Sequence, residues 1–402
     1  MRVLLTIVIC LFAYISTKSE EIRLHTNKYI YGSIASIKNG IVEVKLASGD
    51  SQSVPLVDII VVRFLGRVPL SIQSGSQEFR FIDGSRIIGL IDKNVGDEMF
   101  IRTSTAGSID FDINKLNGFV ALPMAGYVGS KADDLVDRVT YKEGKNLDYV
   151  LTQNTSLYPG LISKLARDKM IFDHEELLQT ISLKVTFLAA VRLANSARKI
   201  NAPWNGSPQI RLTTRDGSII IGKLQSIEFG KWKFKPNWSE KLVLEIPIDE
   251  IVQAEIMGGK VQYLSQLKPE VSKESSILAP FQPYKMDKNC QGGRLSIGKR
   301  RFPWGIGVHS DSALTFSLRK KFKEFKAEIG IDAVVGKRGS VIFEVFGDGK
   351  SLYKSGVIKG GQSPKSIKAV VAGVDKLILK VTNAGDLDIG DVANWVSARV
   401  IQ

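Results

Sequence analysis

A chain of 402 residues can hold two or three domains, each with its own core. Its two cysteines, Cys10 and Cys290, exclude a disulfide framework. The net charge is +14, and residues 260–402 carry 24 Lys/Arg against 13 Asp/Glu, so most of the excess lies in the last third. A basic surface of this kind suits anionic polysaccharide, cell-wall polymer or nucleic acid, or is simply a solvated face.

The first 19 residues read as a secretory signal. Arg2 supplies the positive end, and Val3 to Ile15 form an apolar run too short for a comfortable membrane span. Cleavage is expected near Ser19, with an uncleaved anchor as the alternative. Cys10 lies inside the run, which argues against a lipoprotein site. With the signal removed, no stable membrane span and a secreted, periplasmic or cell-envelope location are expected. Export argues against nucleic acid, and neither an RNA-binding aromatic-glycine pattern nor zinc-finger spacing is present.

Between the signal and Lys260 the chain repeats itself. Four segments begin with a strand and reach a pivot glycine: Gly32, Gly89, Gly160 and Gly222. Asp83-Gly84 and Asp216-Gly217 mark tight hairpins before two of the pivots. Each segment closes on a short apolar element such as PLVDIIVVRF or PIDEIVQAEI. A glycine within a strand pattern marks a sharp bend or bulge. The pattern predicts small barrels of the Sm-like kind, two over 20–123 and, after a linker or short helix at 124–145, two more before 260. One such unit buries little surface, so neighbours should associate. The stretch EELLQTISLKVTF in the third repeat is read as strands, because Ile181, Val185, Thr186 and Phe187 favour them.

No catalytic constellation is legible. His25, His174 and His309 are the only histidines and lie in different units. HExxH, GxSxG and Walker-type loops are missing. The acids of the repeats sit at turns (Asp83, Asp216) or before the closing strand (Asp58, Asp249), where backbone capping is the simpler role. The chain is read as non-catalytic.

From about 260 to 402 the chain alternates short strands with Gly/Asp/Asn turns. GIGVH, GIDA, VIFEVFGDGK, LILKVT and D-x-x-x-W-x-x-A-R follow in that order, and together they resemble the NPCBM family. These are carbohydrate-binding modules associated with glycoside hydrolase family 98 enzymes and with many bacterial surface proteins. The resemblance spans the whole segment and implies a jelly-roll β-sandwich that binds galactose-type or related glycans. The overall expectation is a mostly β protein, with barrel repeats followed by the sandwich. It would be an exported glycan-binding protein whose partner is a glycan or polysaccharide. The alternative is a structural or protein-interaction protein of the cell envelope whose sandwich has lost sugar binding.

Three features of the module bear on a site. A sugar wants an aromatic platform beside hydrogen-bonding groups. Trp304, beside Pro303 in a glycine-rich turn, is read as exposed and as that platform, with His309 and Asp332 beside it. For His309 the alternative is a packed structural histidine, for Trp304 a structural residue of a glycine bend, and for Asp332 a loop cap. Asp386, Asp388 and Asp391 crowd one turn and are candidate ligands for a structural calcium, or else a solvated acidic turn. Ser397 stands where relatives commonly carry an acid, which weighs against the calcium. Gly347-Asp348-Gly349-Lys350 is a hairpin, and Trp395, in an apolar strand pattern, is read as core.

Overall fold

The repeats become four five-stranded units with the same internal order. The first has strands Glu20–Leu24, Tyr29–Lys38, Ile41–Leu46, Ser51–Pro55 and Ile59–Phe64; the others begin at Gln77, Asp148 and Gln209 and end at Ala121, Arg192 and Met257. A single 3-10 turn precedes the fifth strand of every unit. The fifth strand pairs antiparallel with the first, so each unit is one strongly bent sheet in the order fourth, third, second, first, fifth, rolled into a barrel-like form. This computed structural model describes residues 20–402 apart from 27, 124–125, 139–146, 195–207, 277, 279–281 and 303. The expected signal lies outside the described residues.

The pivot glycines explain the curvature. A Cβ at Gly32, Gly89, Gly160 or Gly222 would lie 2.5, 2.7, 2.2 or 2.1 Å from a carbonyl oxygen of the third strand. Only glycine lets the second strand pass so close to its neighbour. Just beyond each pivot the register slips by one residue, a β-bulge that turns the strand. The first-strand residue opposite the pivot then captures the N–H at the bulge. Glu20 accepts from Ile34 N (3.1 Å), Gln77 from Ile91 N (3.2 Å) and Asp148 from Ile162 N (2.8 Å). In the fourth unit this position is the buried Ile210.

The units associate through their closing strands, Ala254 opposite Val62 and Phe119 opposite Val191. The second and fourth units meet through their hairpins. Ile88 N donates to Ser218 Oγ and Ile221 N to Ser85 Oγ, both at 2.9 Å, the reciprocal contacts a twofold relation requires. The spatial order is therefore one–four–two–three, and one hydrophobic cluster runs through all four units. The stretch 124–145 contributes the helix Gly126–Arg138, whose Ala132, Leu135 and Val136 cover Val120, Leu151, Ala189 and Ala190. The third repeat forms strands at Gln179–Lys184 and Leu188–Arg192; Ile181 lies in the first, whereas Val185, Thr186 and Phe187 form the 3-10 turn between them.

Residues 260–402 form a sandwich. One sheet runs Lys285–Met286, Gly305–His309, Val392–Ile401, Glu324–Ile331, Lys365–Val370, with Val261–Tyr263 also on Val392–Ile401. The other runs Val271–Glu274, Ser312–Ser317, Lys376–Asn383, Ser340–Gly347, Lys350–Lys359. Trp395 lies between them, edge-on to Phe343 at 4.9 Å and 1% exposed. Ser397 occupies a bulge at φ +52°, where its N–H donates to Trp304 O. That position serves the bend of the last strand.

Candidate functional site

One end of the sandwich gathers most of the residues singled out by sequence. Gly305–His309 and Glu324–Ile331 finish there, and Val392–Ile401 begins there. Asp332 N donates to Val392 O (2.7 Å), and Ser310 N donates to Asp391 O (3.3 Å). His309 is almost wholly buried, its Nδ1 2.6 Å from Ser310 O. The packed reading of this histidine therefore describes its surroundings.

Asp332 is fully buried and accepts four hydrogen bonds. Val334 N (2.9 Å) makes it the cap of a short turn, while Ser296 N (3.1 Å), Ser296 Oγ (3.2 Å) and Asn394 Nδ2 (2.6 Å) tie the 296–301 hairpin to the sheet. Cys290 lies close by, its thiol pushed up to about 12 chiefly by burial, with the Asp332 charge adding to it.

The acidic turn is built differently from either expectation. Asp391 accepts from Ser310 Oγ (2.7 Å) and Ser340 N (2.8 Å). Asp388 accepts from Ser276 Oγ (2.8 Å) and Leu278 N (3.0 Å), and Asp386 from Ser340 Oγ (2.7 Å). Asp388 and Asp391 are fully buried, so only Asp386 belongs to a solvated turn. Burial raises the Asp391 pKa, the two donors oppose that rise, and the charge of Asp386 adds to it. Hydroxyl and amide donors thus hold these carboxylates. No group of three His, Cys, Asp or Glu that could hold a metal ion occurs among the described residues. The residues as arranged do not fit a calcium site.

Trp304 requires the main correction. It is not an exposed platform but 4% exposed, and it precedes the strand that His309 ends, about 17 Å away along an extended chain. It packs on Tyr263 (ring centroids 4.7 Å apart) within a cluster that includes Ile60 and Val61 of the first barrel. Its indole N–H donates to the buried Glu255 of the fourth barrel. The turn beside Pro303 looked exposed because the sequence does not show that the barrels cover it.

The rim of the loop end brings Asp386, read from sequence as a metal ligand, beside Arg338 and aliphatic residues that sequence reasoning missed. Arg338 and Asp386 are exposed on adjoining loops, for a Cβ at Gly390 would sit 3.1 Å from Arg338 Cβ. Leu278, Val334, Leu387 and Ile389 are all more than half exposed around them. Among the described residues of 260–402 no Trp, Tyr or Phe is exposed, so the apolar surface here is aliphatic. The available signal was the Lys337-Arg338 pair set between Gly336 and Gly339 in a turn. A guanidinium, a carboxylate and aliphatic side chains on one rim can meet vicinal hydroxyls and the C–H face of a ring.

The fold is that of a β-sandwich set on an array of small β units. Residues 260–401 match the NPCBM/NEW2 domain. A protein named "Putative endo-alpha-N-acetylgalactosaminidase" from Renibacterium salmoninarum is 33% identical over 110 residues, 27% of this chain and 7% of that protein. Alpha-1,3-galactosidase B of Akkermansia muciniphila is 31% identical over 116 residues, 28% of this chain and 14% of the relative. The chain thus spans only a small part of the curated relatives it matches. Among solved structures, the CBM51 from Clostridium perfringens GH95 in complex with methyl-galactose is 26% identical, with 35% of this chain and 99% of that chain covered, at a TM-score of 0.32. The module is homologous to carbohydrate-binding modules.

Proposed function

We propose that this is an exported, non-catalytic glycan-binding protein whose sandwich takes a galactose-type sugar at the loop end. The observation that carries the reading is the match of residues 260–401 to the NPCBM/NEW2 domain. The galactosidase and N-acetylgalactosaminidase named among the relatives support the sugar class. In this reading Arg338 and Asp386 bond the hydroxyls, and Leu387 and Ile389 cover a ring face. His309 and Asp332 lie beneath and hold the loops that carry them.

The test is titration of the full chain with methyl galactoside and N-acetylgalactosamine, read by calorimetry. Arg338→Ala and Asp386→Ala should each weaken binding at least tenfold, about 1.4 kcal/mol or more. The melting temperature should stay unchanged for Arg338→Ala and fall only slightly for Asp386→Ala, which loses the hydrogen bond from Ser340 Oγ. A second reading, a structural or interaction module, is favoured by the burial of Trp304, His309, Asp332, Asp388 and Asp391. It stands if the folded chain binds no glycan on an array of neutral and anionic sugars.

A further inference from the structure

The module carries a concave feature separate from the loop-end rim. A cleft of about 380 Å³ is lined by Asp287, Arg294, Arg301 and Phe302. It belongs to the segment 285–301, which holds six cations (Lys285, Lys288, Arg294, Lys299, Arg300, Arg301) against one acid, Asp287.

The charges in this segment have unequal duties. Arg300 makes a two-pronged pair with Glu328 (2.5 and 3.1 Å) and lies over the Phe302 ring at 4.8 Å. Lys288 stands 3.9 Å from Asp133 of the helix Gly126–Arg138. Asp287 faces into the barrel side, where it accepts from Gly305 N (3.1 Å) and lies 3.9 Å from Arg211. Arg294 and Arg301 are exposed, and among the described residues neither guanidinium has an ion pair or hydrogen bond. Two guanidiniums with no partner on one cleft wall are forks open to a carboxylate or sulfate.

The frame under them is rigid. Leu295, Ile297, Phe302 and Val396 form a small core of their own beneath the hairpin. Ser296 is fixed to Asp332, and Ser296 and Ile297 pair with Arg301 and Arg300. Arg301 thus ends a strand and Arg294 directly precedes the buried Leu295, so both stand on an anchored hairpin and less entropy is lost on binding.

We infer that the Arg294–Arg301 cleft binds the anionic groups of an acidic polysaccharide, sulfate or uronate, independently of the neutral-sugar site. An extended polyanion suits the feature because Lys299 and Lys285 continue the positive charge along the same segment. Phe302 offers a sugar ring little surface, being 8% exposed, so the contact is carried by charge.

The test uses the full chain in affinity electrophoresis and titration against dextran sulfate, polygalacturonate, unmodified dextran and a single-stranded DNA oligonucleotide. Dextran sulfate, polygalacturonate or both should bind, dextran should not, and binding should weaken with salt. Which of the two polymers binds more tightly assigns sulfate or uronate as the natural group. Arg294→Ala/Arg301→Ala should reduce affinity at least tenfold and lower the salt slope by roughly 1–2, with an unchanged melting temperature and unchanged methyl galactoside binding. The control Lys320→Ala/Lys323→Ala, on another basic turn, should change affinity less than threefold. Equal losses from the arginine and lysine pairs would leave only diffuse charge and overturn the site. Failure of both acidic polymers to bind at low salt would overturn it as well. So would DNA binding as tight as the better polymer with the same arginine dependence.

Discussion

Trp304 of the sandwich donates its indole N–H to Glu255 of the fourth barrel, and this pair is the centre of the joint between the two halves of the molecule. Glu255 is 1% exposed and accepts three more hydrogen bonds, from Arg211 Nη1 (2.8 Å), Gln253 Nε2 (2.6 Å) and Gln266 Nε2 (3.2 Å). Donors from the barrel and from the sandwich therefore converge on one buried carboxylate. Around it, Lys260 N donates to Val57 O and Lys260 Nζ reaches Asp58 at 2.8 Å.

Trp304→Ala should destabilise the full chain by about 3–5 kcal/mol, the usual cost of emptying a large buried position. Residues 260–402 expressed alone retain the sandwich core and should still melt cooperatively. Their melting temperature should fall below that of the module in the full chain, with Trp304 emission shifted to the red. Equal melting temperatures and equal emission would show that the joint contributes nothing to stability.

Asp83 and Asp216 hold equivalent places in the second and fourth hairpins, yet their surroundings differ. Asp216 accepts from Thr214 Oγ1, Ser104 Oγ, Thr105 Oγ1 and Ser218 N. Among the described residues Asp83 accepts only from Ser85, through N and Oγ. The positions equivalent to Thr214 and Thr105 are Phe81 and Trp238, which stack on each other at 4.5 Å. Burial accordingly raises the Asp83 pKa to about 6. A raised folded pKa favours the protonated carboxyl. Its contribution to stability is complete below about pH 4 and is lost as pH rises through about 6. Asp83→Asn should therefore stabilise the protein by about 1–3 kcal/mol at pH 7.5, and the gain should vanish near pH 4. Thermal melts across that range read the effect; a gain independent of pH would refute the buried carboxylate charge as its cause.

The bulge acceptor can be tested in the third unit. Asp148 accepts from Ile162 N and Ala194 N, both at 2.8 Å, and burial raises its pKa. Asp148→Ala leaves both amides unpartnered and should cost about 2–4 kcal/mol, while Asp148→Asn, which keeps one acceptor, should cost less. Urea unfolding distinguishes the two. Identical midpoints for Ala and Asn would mean the hydrogen bonds are not what holds the bulge.

For the acidic turn, melts in excess calcium and in chelator should coincide, because Asp386, Asp388 and Asp391 are held by hydroxyl and amide donors. A cation bound to the folded state alone would raise the midpoint. A rise in calcium that Asp388→Ala removes would restore the metal reading.

Much of this molecule was determined by the sequence itself. The pivot glycines, the Asp-Gly hairpins and the closing apolar strands specify four β units, because only glycine tolerates the approach at the bend. The motif order from GIGVH to the final strand specifies the sandwich, and the apolar alternation around Trp395 places it in the core. Tertiary structure alone decided the accessibility of the candidate site. Trp304 and Glu255 are 49 residues apart, and nothing local in either segment announces that one covers the other. The burial of Asp388 and Asp391 likewise depends on the hydroxyls of Ser276 and Ser310 and the backbone N–H of Ser340, donors from three other segments. Local pattern fixes which way a strand bends and which of its faces is apolar. Whether a polar or aromatic group meets water is set by what packs over it, and that partner is chosen by the whole chain.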